Sequence, residues 1–207
     1  MTDLKNIAWI DLETTSADEH DGSILEVGII ITDPHLRELD RAEWLVEPLD
    51  IAHIADMPDV VRRMHTESGL LDRLDEARAD EASGRRRFAI YIVDEVDALL
   101  RELLDTHTVR GQIILAGSGV GHFDSRWIRR HLPRSAQRLT YWALDVGVVR
   151  RFLATIDPDL VLEQYPDGGK PHRALADAEL HLAEWRAYRD AMRETALEFR
   201  VALARKR

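Results

Sequence analysis

The chain reads as an α/β protein, a central mixed sheet flanked by helices, formed by residues 1–207 as a single domain. Three observations predict this. Three β-rich segments joined by brief polar links come first; short apolar runs then alternate with stretches of helical periodicity; and no repeat or linker divides the chain.

Residues 7–12, Ile-Ala-Trp-Ile-Asp-Leu, form a first strand, and the β-branched run 24–31 forms a second that ends at the Asp33-Pro34 turn. The link between them, Ser16 to Gly22, is short and polar, as a hairpin connection requires. Glu43 to Val46 is a third strand, closed by Pro48, so the N-terminal part is an antiparallel meander. A short helix over 58–64 leads into His65-Thr66-Glu67-Ser68-Gly69-Leu70. Residues 72–87 are almost all charged or small and end in Arg85-Arg86-Arg87, a solvated helix plus loop. Residues 88–104 place Ile92, Val96, Leu99, Leu100 and Leu103 at helical spacing and predict an amphipathic helix.

Residues 113–116 form a buried strand that enters Gly117-Ser118-Gly119-Val120-Gly121. That spacing does not match a dinucleotide-binding G-x-G-x-x-G, and no acidic ribose partner follows; the glycines instead let the backbone approach a neighbour closely. Helices over 124–131 and 146–153 flank a strand end at Leu144-Asp145. After the flexible turn Gly168-Gly169-Lys170-Pro171, one long helix runs from about 173 to 205, with Leu175, Ala178, Leu182, Trp185 and Met192 on one side.

Composition narrows the function. With 38 acidic against 28 basic residues the net charge is −10, which opposes the broad positive footprint of a duplex binder. Any nucleic acid is held as a short segment, with metal ions neutralising carboxylates and phosphate together. There is no cysteine, hence no disulfide and no thiolate metal site. The start, Met-Thr-Asp-Leu-Lys, reads as no secretory leader, and no apolar run reaches the ~20 residues of a bilayer span. A cytoplasmic protein with no membrane partner is expected.

Chemistry concentrates in a few acids. Asp11 and Glu13 alternate out of the first strand onto one face, where two like charges raise each other's pKa unless a divalent cation compensates. Asp124 follows the glycine turn at a helix start, and His172 precedes the long helix that carries Asp177 beside its apolar face. Taken singly, each has an ordinary alternative: a solvated strand end, a first-turn carboxylate, an exposed turn histidine.

Together these residues resemble the DEDDh exonuclease family, most closely its oligoribonuclease branch. The resemblance is carried by Trp9 to Thr15, Ile24-Leu25-Glu26-Val27, His65 to Leu70, Leu115-Ala116-Gly117, Leu144-Asp145-Val146 and His172-Arg173-Ala174-Leu175-Ala176-Asp177. It implies a ribonuclease H-like fold and 3′→5′ hydrolysis of single-stranded nucleic acid to mononucleotides. It also implies two divalent ions, Mg²⁺ or Mn²⁺, held by Asp11, Glu13, Asp124 and Asp177, with Asp11 bridging and His172 as general base. By the same resemblance Leu12 wedges against the terminal base, Thr14, His65, Ser68 and Tyr141 bind substrate, and the protein is a homodimer.

Several positions depart from that branch. Val60 stands where oligoribonucleases carry a stacking tryptophan, and Tyr141-Trp142 where they carry the Tyr-Arg pair that caps a dinucleotide's 5′ phosphate. Ser118-Gly119 replaces Asn-Ser, and His122-Phe123-Asp124 holds one extra residue before the aspartate. Trp142 is read either as a stacking platform or as a core indole. Arg126, Arg129, Arg130, Arg134 and Arg138 read either as a phosphate track or as a solvated helix face.

The expected function is metal-dependent release of nucleoside 5′-monophosphates from single-stranded or short RNA. The alternatives are a 3′→5′ exonuclease on single-stranded DNA and a dinucleotide-preferring oligoribonuclease. An aspartyl phosphatase would carry Asp in place of Glu13 and leave the His-x4-Asp unexplained. A non-enzymatic binder would not need four acids and a histidine.

Overall fold

A computed structural model describes residues 5–84, 89–109, 111–162 and 169–196. Within them β1 (Ile7–Thr14), β2 (Ile24–Thr32) and β3 (Glu38–Val46) form the expected antiparallel meander. There follow α1 (Ala52–Ala55), α2 (Asp59–Glu67), α3 (Leu70–Ala82), β4 (Ile90–Tyr91), α4 (Val93–His107) and β5 (Ile113–Gly117). Then come α5 (Asp124–His131), α6 (Pro133–Ala136), β6 (Leu139–Asp145), α7 (Val146–Ile156) and α8 (Ala174–Glu194). The sheet order is β4-β3-β2-β1-β5-β6, with β5 parallel to β1 and β6 parallel to β5. The mixed α/β architecture is therefore as expected. Strand direction changes beside β1, and it is outside the carboxyl ends of such strands that ligands bind in open α/β sheets.

The pleat of β1 sorts its side chains into two cores. Even-numbered Ala8, Ile10 and Leu12 pack with Val96, Leu100, Leu104, Trp127 and Ile128. Odd-numbered Ile7 and Trp9 pack with Ala178, Leu182 and Trp185, the Trp9 and Trp185 rings 5.9 Å apart. Asp11 and Glu13 continue this second face, the one that α8 covers.

Three expectations about elements need correction. Residues 72–82 are not a merely solvated helix: Leu70, Leu74 and Ala77 bury one face of α3 against Leu25, Leu45 and Met57. The segment 88–104 does not begin as helix, because Ile90 and Tyr91 pair with Leu45 and Val46 at the sheet edge. The Glu95 carboxylate accepts the Ile92 N–H at 3.1 Å, which starts α4 only afterwards. Leu144-Asp145 is a strand end as expected, that of the seven-residue β6. Met192 does not join the buried side of α8; it is 47% exposed. Residues 85–88 and 197–205 of the expected elements lie outside the described residues. Among those described, no helix is long and apolar enough to cross a membrane.

Candidate metal centre

Asp11 and Glu13 emerge near the end of β1, 6% and 4% exposed. What brings a helix onto them is the neighbouring strand. Gly28 lies opposite Asp11, and a Cβ there would stand 2.2 Å from the Leu175 nitrogen and 2.3 Å from the Ala174 carbonyl carbon. Only a residue without a side chain lets the first turn of α8 lie on the sheet. Glu26 lies opposite Glu13, fully buried, and accepts the Ala174 N–H at 2.8 Å and the Arg173 Nε–H at 3.1 Å. A strand carboxylate thus caps a helix distant in sequence, favourable at its positive end. Asp177, in that helix's first turn, is fully buried. Glu13, His172 and Asp177 each offer one ligand atom within 4.8 Å of the others.

Asp124 approaches from the other side. It opens α5, is 3% exposed, and its Oδ1 accepts the Leu12 N–H at 3.0 Å. The glycine turn before it permits this, as the close-approach reading expects at Gly117: a Cβ there would meet the Ile10 carbonyl oxygen at 2.7 Å. Gly119 serves differently, through φ +74°, and the Asp145 carboxylate ties its N–H (3.1 Å) to that of Val148 (3.2 Å).

His172 stands at the mouth with φ +50°, a left-handed conformation that a non-glycine residue adopts at a cost of about 1–3 kcal/mol. It lines a cleft of about 310 Å³ with Asp11, Leu12, Glu13, Asp124 and Lys170. Thr14 lines the same cleft. Lys170 is the residue that sequence reasoning missed: its Nζ lies 2.9 Å from Asp177 Oδ2. Flanked by Gly169 and Pro171, it gave no signal beyond a turn. The roles of Gly28 and Glu26 were missed too, although a charge inside an apolar strand announces a buried partner.

Other expected positions fall elsewhere. His65 is fully buried behind the acids, its Nε2 2.9 Å from the Thr14 carbonyl and its Nδ1 3.7 Å from Glu13 Oε2. Ser68 Oγ donates to the His65 carbonyl at 3.3 Å. Tyr141 is 85% exposed and lines a separate depression with Gln112 and Arg129. Trp142 is 44% exposed, which removes the core-indole reading, and Val60 is 66% exposed. Of the arginines, Arg126 pairs with Glu19 at 3.4 Å and Arg138 with Asp105, so these two are not open phosphate sites.

Burial and crowding decide the protonation. Burial, then Asp124, Glu13 and Asp177, push Asp11 well above the carboxylate range. Glu13 is raised to about 8, by burial first, and Asp124 to about 7 for the same reason. Burial also raises Asp177, against the pull of Lys170. Burial and the Lys170 charge lower His172, which keeps its imidazole neutral at pH 7. Asp11 Oδ2 and Glu13 Oε1 are buried without a hydrogen-bond partner among the described residues. Hard oxygen donors left unpaired beside each other fit a divalent cation such as Mg²⁺ or Mn²⁺.

A mixed sheet whose central strand carries paired carboxylates, met by two further acids and a histidine, defines a candidate divalent-metal centre for an anionic substrate. Comparison with known proteins makes this specific. The chain matches the family model described as exonuclease, of the RNase T type, over residues 8–184, and it belongs to that exonuclease family. It is an enzyme of the 3′→5′ exonuclease class. Oligoribonuclease from Photobacterium profundum is 29% identical over 186 residues, 90% of this chain and 94% of its own length. Oligoribonuclease from Streptomyces avermitilis is 32% identical over 187 residues, 90% of this chain and 86% of its own. E. coli Exonuclease I in complex with a dT13 oligonucleotide shares the fold at TM-score 0.65 and 15% identity, over 92% of this chain. This chain spans 42% of that longer one.

Proposed function

We propose that the protein is a divalent-metal-dependent 3′→5′ exoribonuclease that releases nucleoside 5′-monophosphates from single-stranded or short RNA. The observation that carries this is the convergence of Glu13, His172 and Asp177 within 4.8 Å, beside Asp11 and Asp124 at one cleft. The oligoribonuclease relatives favour RNA over the single-stranded DNA alternative. We read residues 1–207 as one exonuclease unit, a homodimer and cytoplasmic by resemblance to that branch.

Four carboxylates by themselves would repel a phosphodiester. Asp11, Glu13, Asp124 and Asp177 would hold the divalent ions, which when bound would supply the charge neutralisation and Lewis-acid activation that hydrolysis needs. The rest falls to the chain. His172 has a neutral imidazole at the cleft mouth and takes the proton from the attacking water. Leu12 offers an apolar wall for the terminal base, and its N–H holds Asp124 in place. His65, hydrogen-bonded to the Thr14 carbonyl, steadies the end of β1 from behind rather than touching substrate.

The test is digestion of 5′-end-labelled RNA and DNA ladders, from two to about twenty nucleotides, with Mn²⁺ or with EDTA. Stepwise shortening of RNA from the 3′ end, absent in EDTA, is the expected result. Full activity in EDTA overturns the metal reading, and faster loss of DNA transfers the protein to the DNA alternative. Stacking on an aromatic contributes ~1–3 kcal/mol per base, which exposed Val60 cannot match. Trp142 offers one indole N–H where an arginine would fork onto a phosphate. kcat/KM on RNA of five or more nucleotides therefore equals or exceeds that on a dinucleotide; a tenfold preference for the dinucleotide would show otherwise.

A further inference from the structure

Lys170 is the cation already inside the acid cluster. Its Nζ is 2.9 Å from Asp177 Oδ2, a carboxylate with no solvent exposure, while the lysine side chain keeps 30% of its own. Burial opposes its charge, but Asp11, Asp177 and Glu13 outweigh that and hold it protonated. Electrostatically it stands in for part of what a divalent ion would bring, yet one ammonium cannot balance four carboxylates. Asp11 Oδ2 and Glu13 Oε1 remain unpaired beside it.

The side chain is also built to leave. Lysine is a compact charge on a flexible four-carbon stem, which a planar guanidinium is not. Lys170 lines the open cleft itself, so its head has a path to water along that wall. It follows Gly169 at φ +144° and lies in an irregular stretch ahead of α8, whereas each carboxylate it faces is fixed on a strand or a helix.

We propose that Lys170 is an internal counter-ion latch: its ammonium occupies the acid cluster in the metal-free protein and must withdraw from Asp177 for divalent ions to bind. This rests on reading the cluster as a divalent-metal site. The latch keeps the metal-free protein from bearing the full repulsion of its acids. It also sets a threshold, since apparent metal affinity falls by the fraction of molecules in which the latch is open.

The test measures metal binding and stability rather than turnover. Wild type, Lys170→Gln and Lys170→Arg are titrated with Mn²⁺ by calorimetry, and their Tm values are read in EDTA and at saturating Mn²⁺. Lys170→Gln is expected to bind Mn²⁺ about tenfold more tightly or better, as for a latch closed nine-tenths of the time. In EDTA it should melt about 2–4 °C below wild type, and at saturating Mn²⁺ that gap should close. Lys170→Arg retains the cation, so it should melt near wild type in EDTA and bind Mn²⁺ no more tightly than wild type. If Lys170→Gln does not fold in EDTA, its Mn²⁺ affinity is read after refolding in Mn²⁺, and an affinity no higher than that of wild type overturns the latch. Unchanged or weaker Mn²⁺ binding by Lys170→Gln, or a Tm gap that persists in saturating Mn²⁺, overturns the latch and leaves the metal reading intact. Absence of Mn²⁺ binding in every protein overturns the metal reading and the latch with it.

Discussion

The acid cluster is held in two contrasting ways. Asp11 and Glu13 sit near the end of β1, paired with Gly28 and Glu26 of β2, and both are buried. His172 and Lys170 sit on irregular backbone just before α8, partly exposed, one of them at φ +50°. The strand fixes negative charge where it is costly to hold, and the surrounding fold bears that cost. In the proposed mechanism the loop carries the groups whose protons or partners change. A site divided in this way can be rigid toward metal and still adjustable toward water and substrate.

The contrast is broken most severely at the strand. Asp11→Asn removes a buried charge with almost no change of shape. Nuclease activity should fall below detection in the end-label assay, while the Tm in EDTA stays level or rises because one source of repulsion is gone. Residual activity near wild type would mean that the strand acids do not organise the site.

On the loop side, His172→Ala should lower kcat by roughly 10²–10⁴-fold, the range for a positioned base. Mn²⁺ binding should weaken far less than in Asp11→Asn, as calorimetry would register. Equal losses of binding in the two variants would place His172 among the main ligands and blur the division.

Gly28→Ala probes the seam between the two regions. A methyl aimed at the Ala174–Leu175 backbone must lift α8 from the sheet and carry Asp177 and His172 with it. The expected cost is roughly 1–3 kcal/mol in chemical denaturation, with a drop in kcat/KM smaller than that of His172→Ala. Unchanged stability would show that α8 does not depend on this close approach.

The smallest effect is the pH dependence of the metal-free protein. Glu13 and Asp124 have folded-state pKa values raised to about 8 and about 7, above their unfolded values near 4. The stability linked to such groups is present in full below the unfolded values and is lost as pH rises through the folded ones. Melting in EDTA should therefore occur at progressively lower temperature from pH 5 to pH 8, and saturating Mn²⁺ should flatten the trend. A level profile in EDTA would show that these carboxylates are not strained by their burial.

Much was legible from local pattern, because a local pattern is itself a physical cause. The alternation of Ile7, Trp9, Asp11 and Glu13 fixes that the acids share a face with the apolar side of that strand. The β-branched runs fix the meander, and the helical spacing of Ala174 to Asp177 puts the fourth acid in a first turn. Tyr141 shows the limit: only the strand end at Leu144-Asp145 could be anticipated, not that the strand reaches back through Tyr141 or that Tyr141 faces a different depression from the acids. Likewise the apolar spacing of residues 88–104 could not disclose that Ile90 and Tyr91 are claimed by β3. What only the tertiary structure decided are pairings between residues far apart in the chain. Gly28 is a strand glycine until the backbone of Ala174 lies on it, and Glu26 an oddity until it caps α8. Lys170 is a turn residue until Asp177 stands 2.9 Å away. Periodicity reports what each segment must bury, whereas these contacts depend on which buried surfaces meet, and that is settled only when the whole chain packs.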